Sequence, residues 1–214
     1  MIKTALLVDG AFFLKRYSLT YGKKHPPKTV AKNLFTMCIR HLDDKFDLYR
    51  IFFYDCPPLS KKAQHPLTGT PIDFSKTSTF AFRTELHREL VKQRKLAVRL
   101  GRLADGTGRW VLTERATKEI LRKSQTVDQL VDNDVRYEVT QKGVDMRIGL
   151  DISSLAHKKL VDRIVLVAGD ADFVPAAKLA RREGIDVILD PMWQPVSDDL
   201  LEHVDGVKSV CKRP

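Results

Sequence analysis

"VAGDADFVPAAKLARREGIDVIL", Val167 to Leu189, places two acids, Asp170 and Asp172, where a buried strand runs into a helix. The residues leading into it, "DRIVLV" from Asp162, are branched and apolar and too few for a helix, so they read as a β-strand. From Phe173 to Glu183 apolar side chains recur at helical spacing. They stop at Gly184, a residue suited to the position just past a helix end, and "IDVIL" starts another strand. The unit is strand–turn–helix–strand. Both acids lie in the turn at the carboxyl end of the first strand, where open α/β sheets place their ligands.

Working outward, "TALLVDG" near the amino terminus reads as a buried strand with Asp9 at its carboxyl end and Gly10 turning the backbone. Thr29 to Leu42 carries Val30, Leu34, Met37, Cys38 and Leu42 on one helical face, and "LYRIFFYD", Leu48 to Asp55, is a second strand. This β–α–β order begins a parallel sheet. Cys56 to Ser78 is polar, holds four prolines and has no period, so a mobile substrate-side loop or a disordered segment is expected. A helix over Thr79 to Arg94 follows. "LAVRLGRL", "ADGTG" and "RWVLT" then read as strand, tight turn and return strand, a small hairpin. Thr113 to Lys123 reads as a helix, and the segment up to Thr140 has no legible pattern. Gly143 to His157 is helical, with Val144, Ile148, Ile152 and Leu155 in register; a short helix near Ser197 to His203 and a strand at "GVKSV" close the chain. Residues 1–214 are thus expected to form one domain, with 56–140 holding a polar loop and a basic helix–hairpin insertion.

The composition fits. At 214 residues and 43% hydrophobic content the chain can bury a core, and a net charge of +10 with a pI near 9.6 favours a polyanionic partner. Cys38, Cys56 and Cys211 are far apart and show no zinc spacing, which indicates free thiols in a reducing compartment, the cytoplasm or a nucleus. No apolar run approaches the ~18 residues of a membrane span. "MIKTALLVDG" reads as a strand rather than a signal peptide. The sequence is compatible with a homo-oligomer.

Asp9, Asp145, Asp170 and Asp172 belong to three strand or helix ends that a right-handed parallel fold brings to one sheet edge. Carboxylates gathered there repel one another unless a cation sits between them. Mg²⁺ and Mn²⁺ prefer such oxygen ligands, and an acidic metal pocket on a basic protein suits a nuclease. Each acid also has a plain structural role open to it: Asp172 as a helix N-cap, Asp145 as a first-turn acid, Asp9 as a turn residue.

Arg83 to Lys123 holds twelve Lys or Arg against five Asp or Glu. Lys92, Arg94, Lys95, Arg99 and Arg102 form a candidate phosphate track; for helix cations such as Arg88, Lys92 and Lys95 a solvated helix face is the alternative. Tyr54, Phe80 and Trp110 are either core residues or platforms for unpaired bases.

"LLVDGAFF", "KGVDMRIGLDI" and "VLVAGDADFVPAAKLARREGIDVIL", in this order and spacing, resemble the NYN domain, a PIN-like nuclease family, and in particular its bacterial LabA/DUF88 branch; "VRLGRL" resembles a strand of that branch. The resemblance implies a three-layer α/β/α sandwich with a mainly parallel central sheet, and hydrolysis of RNA leaving a 5′-phosphate. It implies Asp9, Asp145 and Asp170 as ligands of one or two Mg²⁺ or Mn²⁺ ions, with Asp172 supporting metal or water. Two positions depart from the family pattern. Ala11, Phe12 and Phe13 stand where an Asn often follows the first Asp–Gly, and Ala168 replaces a small hydroxyl residue. These departures motivate an RNA-binding or scaffold protein without catalysis as the alternative. A phosphatase of the haloacid dehalogenase type is disfavoured because its general acid would be position 11, here Ala. No P-loop, G-x-S-x-G elbow or H-E-x-x-H motif is present.

Overall fold

The structure, a computed structural model, describes residues 1–214 except Lys23, Lys24, Asp105 and Thr107. Its centre is a six-stranded, all-parallel sheet built from β1 (Ile2–Asp9), β2 (Phe46–Asp55), β5 (Leu96–Leu100), β10 (Arg163–Val167), β11 (Asp186–Asp190) and β12 (Gly206–Val207). The spatial order is β12-β11-β10-β1-β2-β5. The chain starts in the middle, builds outward to β5, then returns to β10 and builds the other way. The reversal falls between β1 and β10, the crevice where doubly wound sheets bind ligands.

Both faces of the sheet are covered, so its strands are apolar on both sides rather than alternating with polar residues. Leu6 and Val8 of β1, with Ile51 and Phe53 of β2, pack under α1 (Gly10–Thr20), α2 (Pro27–Ile39) and α3 (Ser78–Val91). Ala5, Leu7, Phe52 and Tyr54 face the other way, under α5 (Val144–His157), α6 (Val174–Arg182) and α7 (Asp198–Glu202). Ala5 to Val8 are fully buried, and truncating a leucine there would cost about 2–5 kcal/mol. This is the expected three-layer α/β/α sandwich.

Gly10 is required by close approach: a β-carbon there would lie 2.5 Å from the Tyr54 carbonyl oxygen. Gly184 ends α6 with φ +83°, as its place in the sequence implies.

The region between β2 and α5 departs from expectation. The stretch after Cys56 is ordered, as a hairpin of β3 (Lys62–Gln64) with β4 (Pro71–Asp73) followed by a 3₁₀ turn at Phe74–Lys76. "LAVRL" is β5, the parallel edge strand of the main sheet, and does not pair with "RWVLT". Instead β7 (Arg109–Leu112) pairs with β8 (Val135–Glu138), and β6 (Arg102–Leu103) with β9 (Gln141–Lys142). The "ADGTG" turn lies partly outside the described residues. Between β7 and β8, α4 (Glu114–Leu121) is capped by Thr113. Asp134, fully buried, ties this segment together: its carboxylate accepts from Arg115, from Gln125 Nε2 at 3.1 Å and from the Val131 N–H at 3.0 Å. Arg115 and Gln125 stand 19 and nine residues from Asp134 and leave no periodicity, which is why the segment carries no legible pattern.

Among the described residues no helix is long and apolar enough to cross a membrane.

Candidate active site

Asp9, Asp145, Asp170 and Asp172 are all carried by elements that end or begin at the carboxyl edge of the sheet. Asp9 closes β1 and caps α1, one carboxylate oxygen accepting from the N–H groups of Ala11 (3.0 Å) and Phe12 (3.2 Å). Asp170 follows β10 and caps the 3₁₀ turn Ala171–Phe173 by accepting from the Asp172 N–H at 3.1 Å. The capping role expected of Asp172 therefore belongs to Asp170: the 3₁₀ turn starts two residues earlier than a helix beginning at Phe173 would. Asp145 sits in the first turn of α5, whose cap, Gly143, has no side chain. Among the described residues, the carboxylates of Asp145 and Asp172 make no hydrogen bond or ion pair.

These acids feel one another. Burial raises the pKa of Asp9 above the ordinary 3.8; the Phe12 and Ala11 N–H groups pull it back, while the charges of Asp145 and Asp55 push it further up. Asp145 is raised first by desolvation, then by the charges of Asp170 and Asp172. Among the described residues no three His, Cys, Asp or Glu side chains converge closely enough to hold a metal ion. The donor set itself, carboxylate oxygens with two carboxylates unpartnered, suits a hard divalent cation.

A cleft of about 500 Å³ opens beside Asp9 and Asp170, lined also by Phe12, Lys15, Gln194 and Ser197. A β-carbon on Gly169 would lie 2.6 Å from the Phe12 ring and 2.8 Å from Gln194 Nε2, so ring and amide close over the turn that bears Asp170. Gln194 is held there by a loop in which Met192 (φ 45°) and Trp193 (φ 66°) are both left-handed. Such strain persists only where surroundings enforce it, and it clusters at functional sites. Here Asp190 accepts from the Met192 N–H (2.8 Å) and pairs with buried His41 (2.8 Å), Arg16 donates twice to the Met192 carbonyl, and Trp193 Nε1 donates to the Cys211 carbonyl. The only trace of this in the sequence is a Gln between two prolines, Pro191 and Pro195, at a strand end.

A fifth carboxylate, Asp55, ends β2 at the same edge, outside the four acids that the sequence pattern singles out. It is fully buried and paired with Arg83 and with His87 Nε2 at 2.7 Å.

The basic track is split. Arg99 and Arg102, at the end of β5 and in β6, lie on the acidic edge. Arg99 pairs with Asp151 (3.3 Å), which also accepts from Tyr54 Oη (2.8 Å). Lys92, Arg94 and Lys95 lie at the opposite edge, because α3 runs antiparallel to the strands and delivers its last turn to the start of β2. Lys92 pairs with Glu89, Lys95 reaches Asp47 (3.5 Å) and the Leu48 carbonyl, and Arg94 lines a cleft with Asp47 and Leu48. Of the three aromatic residues, Tyr54 is fully buried and Trp110 donates from Nε1 to the Gln64 carbonyl, whereas Phe80 is half-buried in a pocket wall.

With this geometry in place the family relationship is clear: the NYN domain matches residues 53–207, from the middle of β2 through β12, including Asp145, Asp170 and Asp172. The chain belongs to the NYN domain family. NYN domains are members of the PIN-like nuclease superfamily, whose substrates are nucleic acids. No curated protein matches this chain. A solved structure of a protein of unknown function from Vibrio parahaemolyticus is similar in fold, with a TM-score of 0.50 at 15% identity over 98% of this chain and 93% of that one.

Proposed function

We propose that this NYN protein is a divalent-metal-dependent ribonuclease that hydrolyses RNA phosphodiester bonds at the carboxyl edge of its sheet. The observation carrying the proposal is the set of four carboxylates on three separate elements, with Asp9 and Asp170 lining an open cleft and Asp145 and Asp172 without a side-chain partner among the described residues. A folded protein tolerates unpaired, mutually repelling acids when a cation or a substrate is to complete them. Asp9, Asp145 and Asp170 would hold Mg²⁺ or Mn²⁺, with Asp172 holding the ion or orienting water. A bound ion of this kind polarises the phosphodiester and makes a coordinated water a nucleophile near neutral pH.

The chain's own groups prepare the site. The N–H groups of Ala11 and Phe12 fix one oxygen of Asp9, and the Asp172 N–H fixes one of Asp170, aiming the carboxylates without neutralising them. Lys15 offers a positive charge at the cleft wall for a phosphate oxygen. Gln194 offers amide donors where the family's Asn and hydroxyl residues are absent. Arg99 and Arg102 are the RNA-holding cations on this edge; Lys92, Arg94 and Lys95 would contact only a strand long enough to wrap to the far edge. We place the protein in the LabA/DUF88 branch on its "VRLGRL" strand, read residues 1–214 as one domain carrying the 56–140 insertion, and infer a cytoplasmic location, consistent with three unpaired buried thiols.

A labelled mixed RNA pool incubated with Mn²⁺, Mg²⁺ or EDTA tests this. Metal-dependent cleavage by the wild type, lost in folded Asp170→Asn, is expected; Asn keeps the capping oxygen, so the fold survives. One arrangement favours the second reading, an RNA-binding protein without catalysis: the acids do not converge as a three-ligand group, and the Phe12 ring stands against Gly169. RNA binding that needs no metal and is indifferent to Asp170→Asn, with no cleavage under any condition, would establish that reading instead.

A further inference from the structure

Next to the acids, beyond the carboxyl ends of β2 and β5, lies a separate pocket of about 400 Å³. Its volume is within the roughly 300–1,000 Å³ typical of small-ligand sites. Pro57, Pro58, Phe74, Phe80, Arg83 and Tyr137 line it. The pocket is built by the ordered stretch after Cys56, where a mobile or disordered loop was expected, by the start of α3 and by strand β8.

Its walls are fixed before any ligand arrives. The Tyr137 ring packs 4.9 Å from that of Phe74 and meets Trp110 edge-on at 5.3 Å; Trp110 in turn meets His65 at 4.8 Å. This row of rings ties the β3–β4 hairpin to the β7–β8 pair and holds Tyr137 in place. Arg83 is held by buried Asp55, so its planar guanidinium is immobilised, and it keeps donors beyond the one given to that carboxylate. The pocket also touches the acidic site. Asp55, which anchors Arg83, directly follows Tyr54, the β2 register partner of Asp9, and Gln141 in the pocket wall precedes Asp145 by four residues.

Flat apolar walls, several aromatic faces and one fixed planar donor group, beside acids that await a phosphate, are complementary to one flat, polar-edged ring attached to a phosphate chain. We propose that this pocket receives an unstacked nucleobase of a single RNA strand whose phosphate lies at the acids, with Phe80 as the stacking face and Arg83 as the edge donor. The inference rests on the nucleic-acid reading above and adds to it the state of the substrate: a duplex cannot supply the base without opening. Stacking on an aromatic residue is sequence-tolerant, since every base has a π-face. Arg83 adds preference for bases whose exposed edge accepts hydrogen bonds.

Fluorescence anisotropy in EDTA, where cleavage cannot interfere, tests the pocket apart from the chemistry. The probes are a fluorescein-labelled single-stranded RNA hexamer, the same hexamer as a fully abasic ribose–phosphate chain, and a hexamer duplex. Wild-type protein is expected to bind the base-bearing strand roughly ten-fold or more tighter than the abasic one, and tighter than the duplex. Phe80→Leu, which retains apolar volume and so the fold, and Phe80→Ala should each lose most of that preference while binding the abasic chain unchanged. If both variants keep the full preference, or if the wild type has none, the pocket assignment is overturned, while metal-dependent cleavage of the RNA pool would leave the nuclease reading standing. No binding of any strand together with no cleavage removes both.

Discussion

Two sets of carboxylates stand at the same edge of the same sheet and are treated in opposite ways. Asp55 is fully buried, neutralised by Arg83 and hydrogen-bonded to His87 Nε2. Asp145 and Asp172 lie at the surface with no hydrogen-bond or ion-pair partner for their carboxylates among the described residues, and Asp145 and Asp9 are pushed towards protonation by their surroundings. Desolvating a charge is costly unless it is paired, so pairing marks the acid that holds the fold. The unpaired acids keep their ligand positions open, which marks the ones available for a ligand. Proximity to the sheet edge alone would not have separated the two sets.

The sharpest way to break this comparison is to remove the paired acid. Asp55→Ala strands Arg83 and His87 in a buried site and should destabilise the protein by about 3–5 kcal/mol, read as a lower denaturant midpoint; an undiminished midpoint would mean the pairing is not structural. Replacing one of the four candidate acids should do the reverse to the two readouts. Asp170→Asn is expected to lower cleavage by roughly 10²–10³-fold, the scale for loss of a group that stabilises charge in the reaction, with little change in the midpoint. Next in size, Gln194→Ala should reduce cleavage by about ten-fold, as for residues that orient ligands from behind, and rates equal to wild type would remove Gln194 from the site.

A smaller effect concerns pH. The folded pKa values of Asp9 and Asp145 lie above the unfolded value of 3.8. Between the unfolded and folded values the native state holds more protons than the unfolded chain, so the contribution of these groups to stability falls as pH rises through that window. Asp145→Asn should therefore melt higher than wild type at pH 7, by roughly 1–4 °C, and lose the advantage near pH 4; Mn²⁺ should give the wild type a comparable rise. A melting temperature for Asp145→Asn below wild type at pH 7 would show that the acids are not in mutual repulsion. The smallest effect is at the far edge: Arg94→Ala should change stability by less than about 0.5 kcal/mol and leave binding of a hexamer unaltered, whereas Arg99→Ala weakens it.

The sequence by itself determined the sheet except for its edge strand β5, which it placed in a hairpin, and singled out the four candidate acids. Buried strands such as "TALLVDG" and "DRIVLV" declare themselves through continuous apolar runs, helices through period 3.6, and a parallel sheet then leaves only one edge for Asp9 and Asp170. Asp172 shows how local that knowledge was: the sequence pattern favoured it as a helix cap, and a 3₁₀ turn starting two residues earlier gave the role to Asp170. What only the tertiary structure decided depends on contacts between residues distant in sequence. The pairing of Asp55 with α3, the ordering of residues 113–134 around Asp134, the strained loop that presents Gln194 and the aromatic row behind Tyr137 are all of this kind. So is the division of one run of basic residues between two edges of the sheet, since β5, paired along β2, crosses the sheet and carries Lys95 and Arg99 to opposite ends of the fold. Periodicity records which face of an element is buried; it holds no record of which side chain across the fold will meet it.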